Sequence, residues 1–561
     1  MSSSGAGIGE TAYVLRAHEE LRVEASPTVP ITVSLKSGTC EVFGTELAKD
    51  MPYIFSDAKL AFYTFHSCEL IVSGVPLLAY VSSDCTTHVH ANIHAELDKM
   101  RRNAGRIEPT VTVPVPPRPH TLLAAATDSS SSSSDNATSE NASNDDSEPR
   151  LVTIPSPESA GPRALIVGAP GSGASSLFRT LVTYATRSNW QPTAVDLDPS
   201  DNLFSVPGSL SALSAEMPLG LGHGATLAAP AASAAALSSP LVHFFGHQTV
   251  RANEPLWRKQ VTRLAKSVDA RAGEPYLHAL TETQAHYATA GADAAATAEA
   301  SAVASGASAA EAAAAAAAAT LANAPLLAAA VAAVVPGTVP QTTPPELTAA
   351  QRRTRASGVL VHFPSTQAGG TVELLAHAVA AFRIDVVVVV DNERLEAQLR
   401  QNALFEAVSV ATVPKSSGVV SVGSLDSADR AARAARRIKE YFYGAKGDFA
   451  PQQMSIKAGL MQIFSTTPPR VLDDTLMPEG LAGPGNASEQ LVVPADITGA
   501  HTQAIFAISA ATTTAEVAES HVFGFLCVKN VEDGIVSCLA PTDEARPGNM
   551  RFVVGSIAWM D

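Results

Sequence analysis

Cysteine is scarce and unpatterned in this 561-residue chain. The five cysteines, Cys40, Cys68, Cys85, Cys527 and Cys538, are odd in number and show no C-x-x-C spacing. Neither a disulfide framework nor a zinc ribbon is supported, and a reducing compartment fits. Basic residues are outnumbered, 38 Lys and Arg against 54 Asp and Glu, for a net charge of −16. That balance argues against broad adhesion to nucleic acid or anionic lipid, so RNA contact is expected to be local or mostly through a partner. The first residues, MSSSGAGIGE, lack a positive or an apolar region, and a protein kept inside the cell is expected. A charge-free stretch from Ala312 to Val335 has the length of a membrane span. It is mostly alanine, contains Asn323 and Pro325 and has no basic or aromatic anchors, so no membrane association is expected.

What is present divides into several domains, since the chain far exceeds the roughly 150 residues of a typical core. From Leu21 to about Thr112 short strand-like runs recur, among them LRVEA, ITVSL, LAFYTF and LIVSG, followed by a helical segment with Ile93, Leu97 and Met100 at helical spacing. This predicts a small β-domain over 1–112. Residues 113–162 turn to Pro and then to SSSSSSDNATSENASNDDSEP, a composition that cannot offset the entropy of ordering and predicts a disordered acidic linker. Over 163–448 the runs RALIVGAP, TAVDLDPS, LVHFFGH, SGVLVHFP and IDVVVVVDNERL have the continuous apolar character of a parallel sheet in an α/β domain. Within it, 268–355 is almost pure Ala with Thr, Ser and Pro, an insertion with no expected fixed fold. Short strands return over 449–561, predicting a β-rich closing domain.

The strand RALIVGAP is followed by Gly171-Ser172-Gly173 and then by SSLFRTLVTYATRS, apolar at helical spacing. The segment from Gly168 to Ser175 has the G-x-x-x-x-G-K-[ST] spacing, with Ala174 at the lysine position. In an intact loop the backbone N–H groups and helix N-terminus cradle phosphates, lysine reaches the β and γ oxygens, and the hydroxyl binds Mg²⁺. Alanine leaves the cradle and Ser175 but removes the cation that follows developing charge, so binding is expected to persist and phosphoryl transfer to suffer. By itself the spacing is equally served by a tight strand-to-helix turn with no ligand.

Several blocks in one order resemble the eukaryotic pre-mRNA cleavage complex subunit family that includes polyribonucleotide 5′-hydroxyl kinases. They are Glu20-Leu-Arg-Val, Glu41 to Leu47, Asp57-Ala-Lys59, the phosphate loop, Arg187 to Asp198, Val206-Pro-Gly208, Phe244-Phe-Gly246, Phe382 to Leu395, Val413 to Val420 and Lys439 to Gly444. The resemblance implies a multidomain α/β protein: a central P-loop NTPase-type parallel sheet, an N-terminal β-sandwich and a small C-terminal β-rich α+β domain. It implies ATP between the first two domains, with Glu20 and Lys59 on the adenine side and Gly171, Ser172, Gly173, Ala174, Ser175 and Ser176 at the phosphates. Carboxylate accepts from an adenine amino group, and a lysine stem packs on a ring face. Ser175 and Asp196 become candidate Mg²⁺ ligands, while Asp196 and Asp198 equally suit capping of the next turn.

Departures from the family gather at the expected active site. Ser200-Asp201-Asn202 replaces a Gly-Gln-Gly run, and His362-Phe-Pro-Ser-Thr366 replaces an Asn/Asp-Thr-Cys-Gly-Trp stretch. Arg430, Arg433, Arg436 and Arg437 lie where a lid of arginines is expected, although exposure on a solvated helix face accounts for them as well. The run Cys85-x-x-His88-x-His90-x-x-x-His94 mimics a ligand set; strand alternation would put His88 and His90 on one face. The matched family has there an ordinary strand leading into a helix, so surface or edge histidines are expected, not zinc. The resemblance implies a nuclear, ATP-binding scaffold of the pre-mRNA 3′-end cleavage and polyadenylation machinery, catalytically silent. Its central domain is expected to dock the cleavage-factor subunit that binds the RNA polymerase II C-terminal domain, among other 3′-end processing factors. The competing expectation is an active RNA 5′-hydroxyl kinase, as in relatives that serve transfer-RNA splicing, and Ala174 stands against it.

Overall fold

The computed structural model describes residues 9–104, 110–115, 150–155, 160–220, 240–273, 347–365, 370–416, 418, 427–444, 447, 449–467, 491–541 and 550–560. The N-terminal domain is a sandwich of antiparallel sheets. One has the order Glu10–Leu15, Cys68–Ser73, Ile31–Gly38, Pro52–Phe55; the other runs Thr45–Glu46, Glu41–Val42, Lys59–Tyr63, Glu20–Glu24, Leu78–Ser82. Alternation sets the core: Leu21, Val23, Leu60 and Phe62 turn inward against Val33, Leu70 and Val72, each contributing about 1.5–3 kcal/mol on full burial. Glu20, Arg22 and Lys59 therefore stand on the outer face of their sheet.

A helix, Thr87–Ala104, closes this domain and holds His88, His90 and His94. The strand alternation expected for His88 and His90 is thus corrected: two residues apart on a helix, they point to different sides. Among the described residues no group of three or more His, Cys, Asp or Glu is placed to hold a metal. Arg101 of the helix donates to the Ser357 carbonyl at 2.8 Å, fastening it to the central domain.

The central sheet has the strand order Leu241–Phe244, Ser209–Ser214, Thr193–Asp196, Val359–His362, Arg163–Gly168, Val386–Val390, Ser409–Val413. Its strands read as unbroken apolar runs because they serve two cores. Leu165, Val167, Val195, Val361, Val387 and Val389 face one layer with Trp257, Leu375 and Phe382. Ala164, Ile166, Ala194, Leu360, Val388 and Val390 face the other, under the helix Ala174–Arg187. The parallel expectation needs one correction. Ser209–Ser214 runs antiparallel to both neighbours, and LVHFFGH pairs with that strand, not with a parallel one. Its serines hid it in the sequence; Ser209 and Ser211 are buried, and the Ser211 hydroxyl donates to Asn202 at 2.6 Å.

The ends of the expected linker are not structureless: Thr110–Val115 pairs antiparallel with Arg150–Pro155. Both segments, TVTVPV and RLVTIP, are rich in β-branched residues that favour pairing. Residues 116–149 lie outside the described residues, as do 274–346, which include the stretch from Ala312 to Val335. Helices Glu254–Arg271 and Ala349–Ser357 extend into both ends of the segment read as an insertion. Among the described residues no helix is long and apolar enough to cross a membrane.

The C-terminal domain is a seven-stranded sheet. One of its faces packs on the central domain: Phe525, Cys527 and Val553 meet Val242, Phe244, Ile438 and Phe442. Phe442, on the helix Ser427–Tyr443, stacks on Trp559 with ring centroids 5.5 Å apart and planes 6° off parallel.

Candidate functional site

The strand Arg163–Gly168 ends at the carboxyl edge of the central sheet, where ligands of such sheets bind. Gly171 and Gly173 follow with φ of +73° and +95°, a turn that L side chains resist. Gly173 caps the helix Ala174–Arg187 without any side chain, so the first N–H groups are left for an anion. The Ser172 hydroxyl is buried and has no hydrogen-bond partner. A phosphate oxygen would satisfy it, and the loop therefore fits a polyphosphate. The Ala174 methyl is buried in the adjoining core.

Ser175 is bonded within the protein. Its Oγ lies 3.1 Å from His362 Nε2, and His362 Nδ1 lies 2.8 Å from Asp196 Oδ1. Burial alone would lower the imidazole pKa, but the Asp196 carboxylate, with Asp198 and Asp201 behind it, outweighs burial and raises it above the ordinary value. Asp196 also accepts the Asp198 N–H at Oδ1 (3.0 Å) and the Leu203 N–H at Oδ2 (2.8 Å), and it is fully buried. A magnesium ion needs several oxygens at about 2.0–2.1 Å in octahedral array. Ser175 and Asp196 do not fit that ion as placed, because an imidazole stands between them.

Asp198 accepts the Ser200 N–H at 2.9 Å and hydroxyl at 2.7 Å, the turn-capping arrangement. Burial raises its pKa, against the pull of His362. Asn202, at the second family departure, is fully buried and saturated: it accepts from Phe204 N–H and Ser211 and donates to the Ser209 carbonyl at 3.0 Å. Asp201 instead meets Arg437 at 3.2 Å. Of the four arginines, Arg436 binds Asp57 of the sandwich at 2.6 Å, Arg437 is buried, and Arg430 is exposed.

On the adenine side, Glu20 and Lys59 stand on the same outer sheet face at different register positions. Glu24, not Glu20, is the cross-strand partner of Lys59 and its ion-pair partner at 3.3 Å. Glu20 lies four residues along, about 13 Å away along the strand. It is buried, with Arg22 Nε at 2.6 Å; burial raises its pKa while Arg22 opposes the shift. Arg22, missed in the sequence, crosses to the central domain. It donates to the Asp84 carbonyl and, at 3.1 Å, to Ser416 in the loop after Ser409–Val413. A Cβ on Gly418 would come within 2.7 Å of the Arg22 side chain, so two matched blocks, Glu20-Leu-Arg-Val and Val413 to Val420, meet across this guanidinium. Position 22 shows no special signal in the sequence; only the fold reveals its reach.

A cavity of about 510 Å³ lies at the far end of the helix Ala174–Arg187, lined in part by Glu41, Tyr63, His94 and Arg187. It is not at the loop: Tyr184 is ten residues, or about 15 Å, along the helix from Ala174.

Three family models match in chain order. The N-terminal beta-sandwich domain of polyadenylation factor covers 14–104, the mRNA cleavage and polyadenylation factor CLP1 P-loop covers 168–279 and 343–444, and pre-mRNA cleavage complex II protein Clp1 covers 449–561. Among curated relatives, the polyribonucleotide 5'-hydroxyl-kinase Clp1 of Homo sapiens is 26% identical over 98% of this chain and 97% of its own length. The Bos taurus protein of the same name matches to the same extent. A solved wild-type Clp1p-Pcf11p complex contains a chain of the same fold, with TM-score 0.64 and 20% identity over 99% of each chain.

Proposed function

Since the chain belongs to the Clp1 family of mRNA cleavage and polyadenylation factors, we propose that it is an ATP-binding, non-catalytic scaffold of the nuclear pre-mRNA 3′-end cleavage machinery. It would be required for endonucleolytic cleavage before poly(A) addition. One observation carries the reading: the phosphate loop keeps its turn, its uncapped helix N-terminus and the unpartnered Ser172 hydroxyl, while the lysine position is a buried alanine. The triphosphate rests on Gly171 to Ser176, with the adenine against the sheet face that carries Glu20, Arg22 and Lys59. The partner is a Pcf11-type subunit, the one that binds the RNA polymerase II C-terminal domain, docked on the central domain over 163–448; other processing factors gather around it and RNA is engaged mostly indirectly. A solved neighbour of this fold in complex with Pcf11p supports that assignment.

The competing reading, an ATP-dependent kinase of RNA 5′-hydroxyl ends, draws on the name of the mammalian relatives. Two measurements decide. Denaturing the purified protein should release ATP. Incubation with labelled ATP and 5′-hydroxyl RNA should leave the RNA unlabelled, whereas turnover near 1 s⁻¹, the low end of kinase rates of about 1–100 s⁻¹, rejects the silent scaffold.

A further inference from the structure

His362 ends the strand Val359–His362, which lies in the sheet between Thr193–Asp196 and the strand that feeds the phosphate loop. Its register partners are Asp196 on one side and Ile166 on the other. The side chain thus issues from the strand between the acidic strand end and the loop, and it reaches both: Asp196 at 2.8 Å and Ser175 at 3.1 Å. In P-loop proteins a loop hydroxyl and an acidic strand end hold the divalent cation that accompanies the phosphates. Here the same two residue types are joined by a ring. Asp196 Oδ1, which faces His362, also accepts the Asp198 N–H, Oδ2 accepts the Leu203 N–H, and Phe178 packs on the imidazole with ring centroids 5.5 Å apart. His362 is 3% exposed and Asp196 0%, so neither residue can turn to solvent to admit a hydrated ion.

We infer that His362 fills the place of the divalent cation, so that the loop takes its nucleoside triphosphate as the metal-free anion. The inference rests on the reading of the loop as a nucleotide site, and it assigns that site a ligand class: free ATP or ADP and not the magnesium complex. It also accounts for two departures together. A chain that has lost the lysine has no use for a metal that activates transfer, and a histidine at this strand end keeps Ser175 and Asp196 bonded without one.

The test is calorimetric titration of the full-length protein, stripped of metal and nucleotide, with ATP in EDTA and again with excess Mg²⁺. The expected result is binding in EDTA at least as tight as in Mg²⁺, where most ATP is metal-bound. Binding only with Mg²⁺ overturns the inference and leaves the nucleotide site standing; absence of binding in both buffers overturns the functional reading and the inference with it. A second measurement needs no nucleotide. Electron paramagnetic resonance of Mn²⁺ added to the wild-type protein should show no ion bound at the loop. His362→Ala, checked for folding by circular dichroism, should gain one bound Mn²⁺ that is lost again in the His362→Ala, Asp196→Asn double variant. A tightly bound Mn²⁺ in the wild type that Asp196→Asn abolishes overturns the inference, and the wild-type titration decides the matter should the alanine variant not fold.

Discussion

Tyr184, on the helix that begins at the phosphate loop, donates its hydroxyl to the buried carboxylate of Glu41 in the N-terminal sandwich. Arg187, three residues on, closes on the other Glu41 oxygen at 3.0 Å and on Glu46 at 2.9 Å. The loop is therefore clamped at the far end of its own helix to the domain expected to cover the nucleotide. Burial pushes the Glu41 carboxyl pKa up, and Tyr184 and Arg187 pull it back toward the charged form. Removing the carboxylate leaves the buried Tyr184 phenol without its acceptor, while Arg187 keeps Glu46 and the Gly44 carbonyl, so Glu41→Ala is expected to cost about 1–3 kcal/mol, with Glu41→Gln milder. Urea denaturation measures it; a loss below about 0.5 kcal/mol would mean the clamp is ornamental.

Restoring the missing lysine should not restore chemistry. Ala174→Lys supplies a cation at the loop, but Ser175 and Asp196 remain bonded to His362, and Asn202 remains buried in a saturated turn. The single variant is expected to label 5′-hydroxyl RNA no faster than the wild type. Turnover at the low end of kinase rates, about 1 s⁻¹, would show that the His362 and Asn202 regions do not block phosphoryl transfer.

The separation between what could and could not be read beforehand follows from how each feature is encoded. The glycine loop and the buried strands are local: Val386–Val390 is apolar at every position because its two faces serve two cores. Arg22 meeting Gly418, or Tyr184 meeting Glu41, depends on the packing of distant segments, and neither residue type nor spacing announces it. His362 stood out as a departure from the family pattern, yet its role depends on strand order, which sets Val359–His362 between its two partners. Ser209–Ser214 is not legible as a strand because serines, buried here at Ser209 and Ser211, look like a loop composition. The Cys85 to His94 run imitates a ligand set only in its spacing, since the helix Thr87–Ala104 disperses what a strand would gather.

Histidine burial sets a pH limit on stability. His243, 1% exposed on the strand Leu241–Phe244, has its pKa lowered to about 3, first by burial and then by His521 and Arg263 nearby. The unfolded chain, with an ordinary histidine pKa near 6.5, takes up the proton first as pH falls. Its contribution is thus complete above about pH 6.5 and is lost progressively toward pH 3, at up to about 1.4 kcal/mol per pH unit. Unfolding free energies of the wild type and His243→Gln between pH 7 and pH 4 should diverge in slope by up to that amount. Parallel curves would show that the imidazole is protonated in the folded protein as readily as in the unfolded one.

The C-terminal domain should come loose through one ring. Trp559 stacks flat on Phe442, also meets Tyr443 edge-on, and receives Lys529 over its face at 4.9 Å. Phe442 belongs to the helix whose Arg436 holds Asp57 of the sandwich and whose Arg437 holds Asp201 beside the phosphate loop. Trp559→Ala removes a buried indole from this junction, a change of about 3–5 kcal/mol for a large aromatic. Because the helix ties together groups from all three domains, the effect should extend beyond the C-terminal sheet. Hydrogen exchange is expected to speed up in Ser427–Tyr443 as well as in Arg551–Ala558, while the strands Arg163–Gly168 and Val386–Val390, buried in their own two cores, keep their protection. Exchange confined to Arg551–Ala558 would show that the helix is held by its arginines alone and that the C-terminal domain is a passenger.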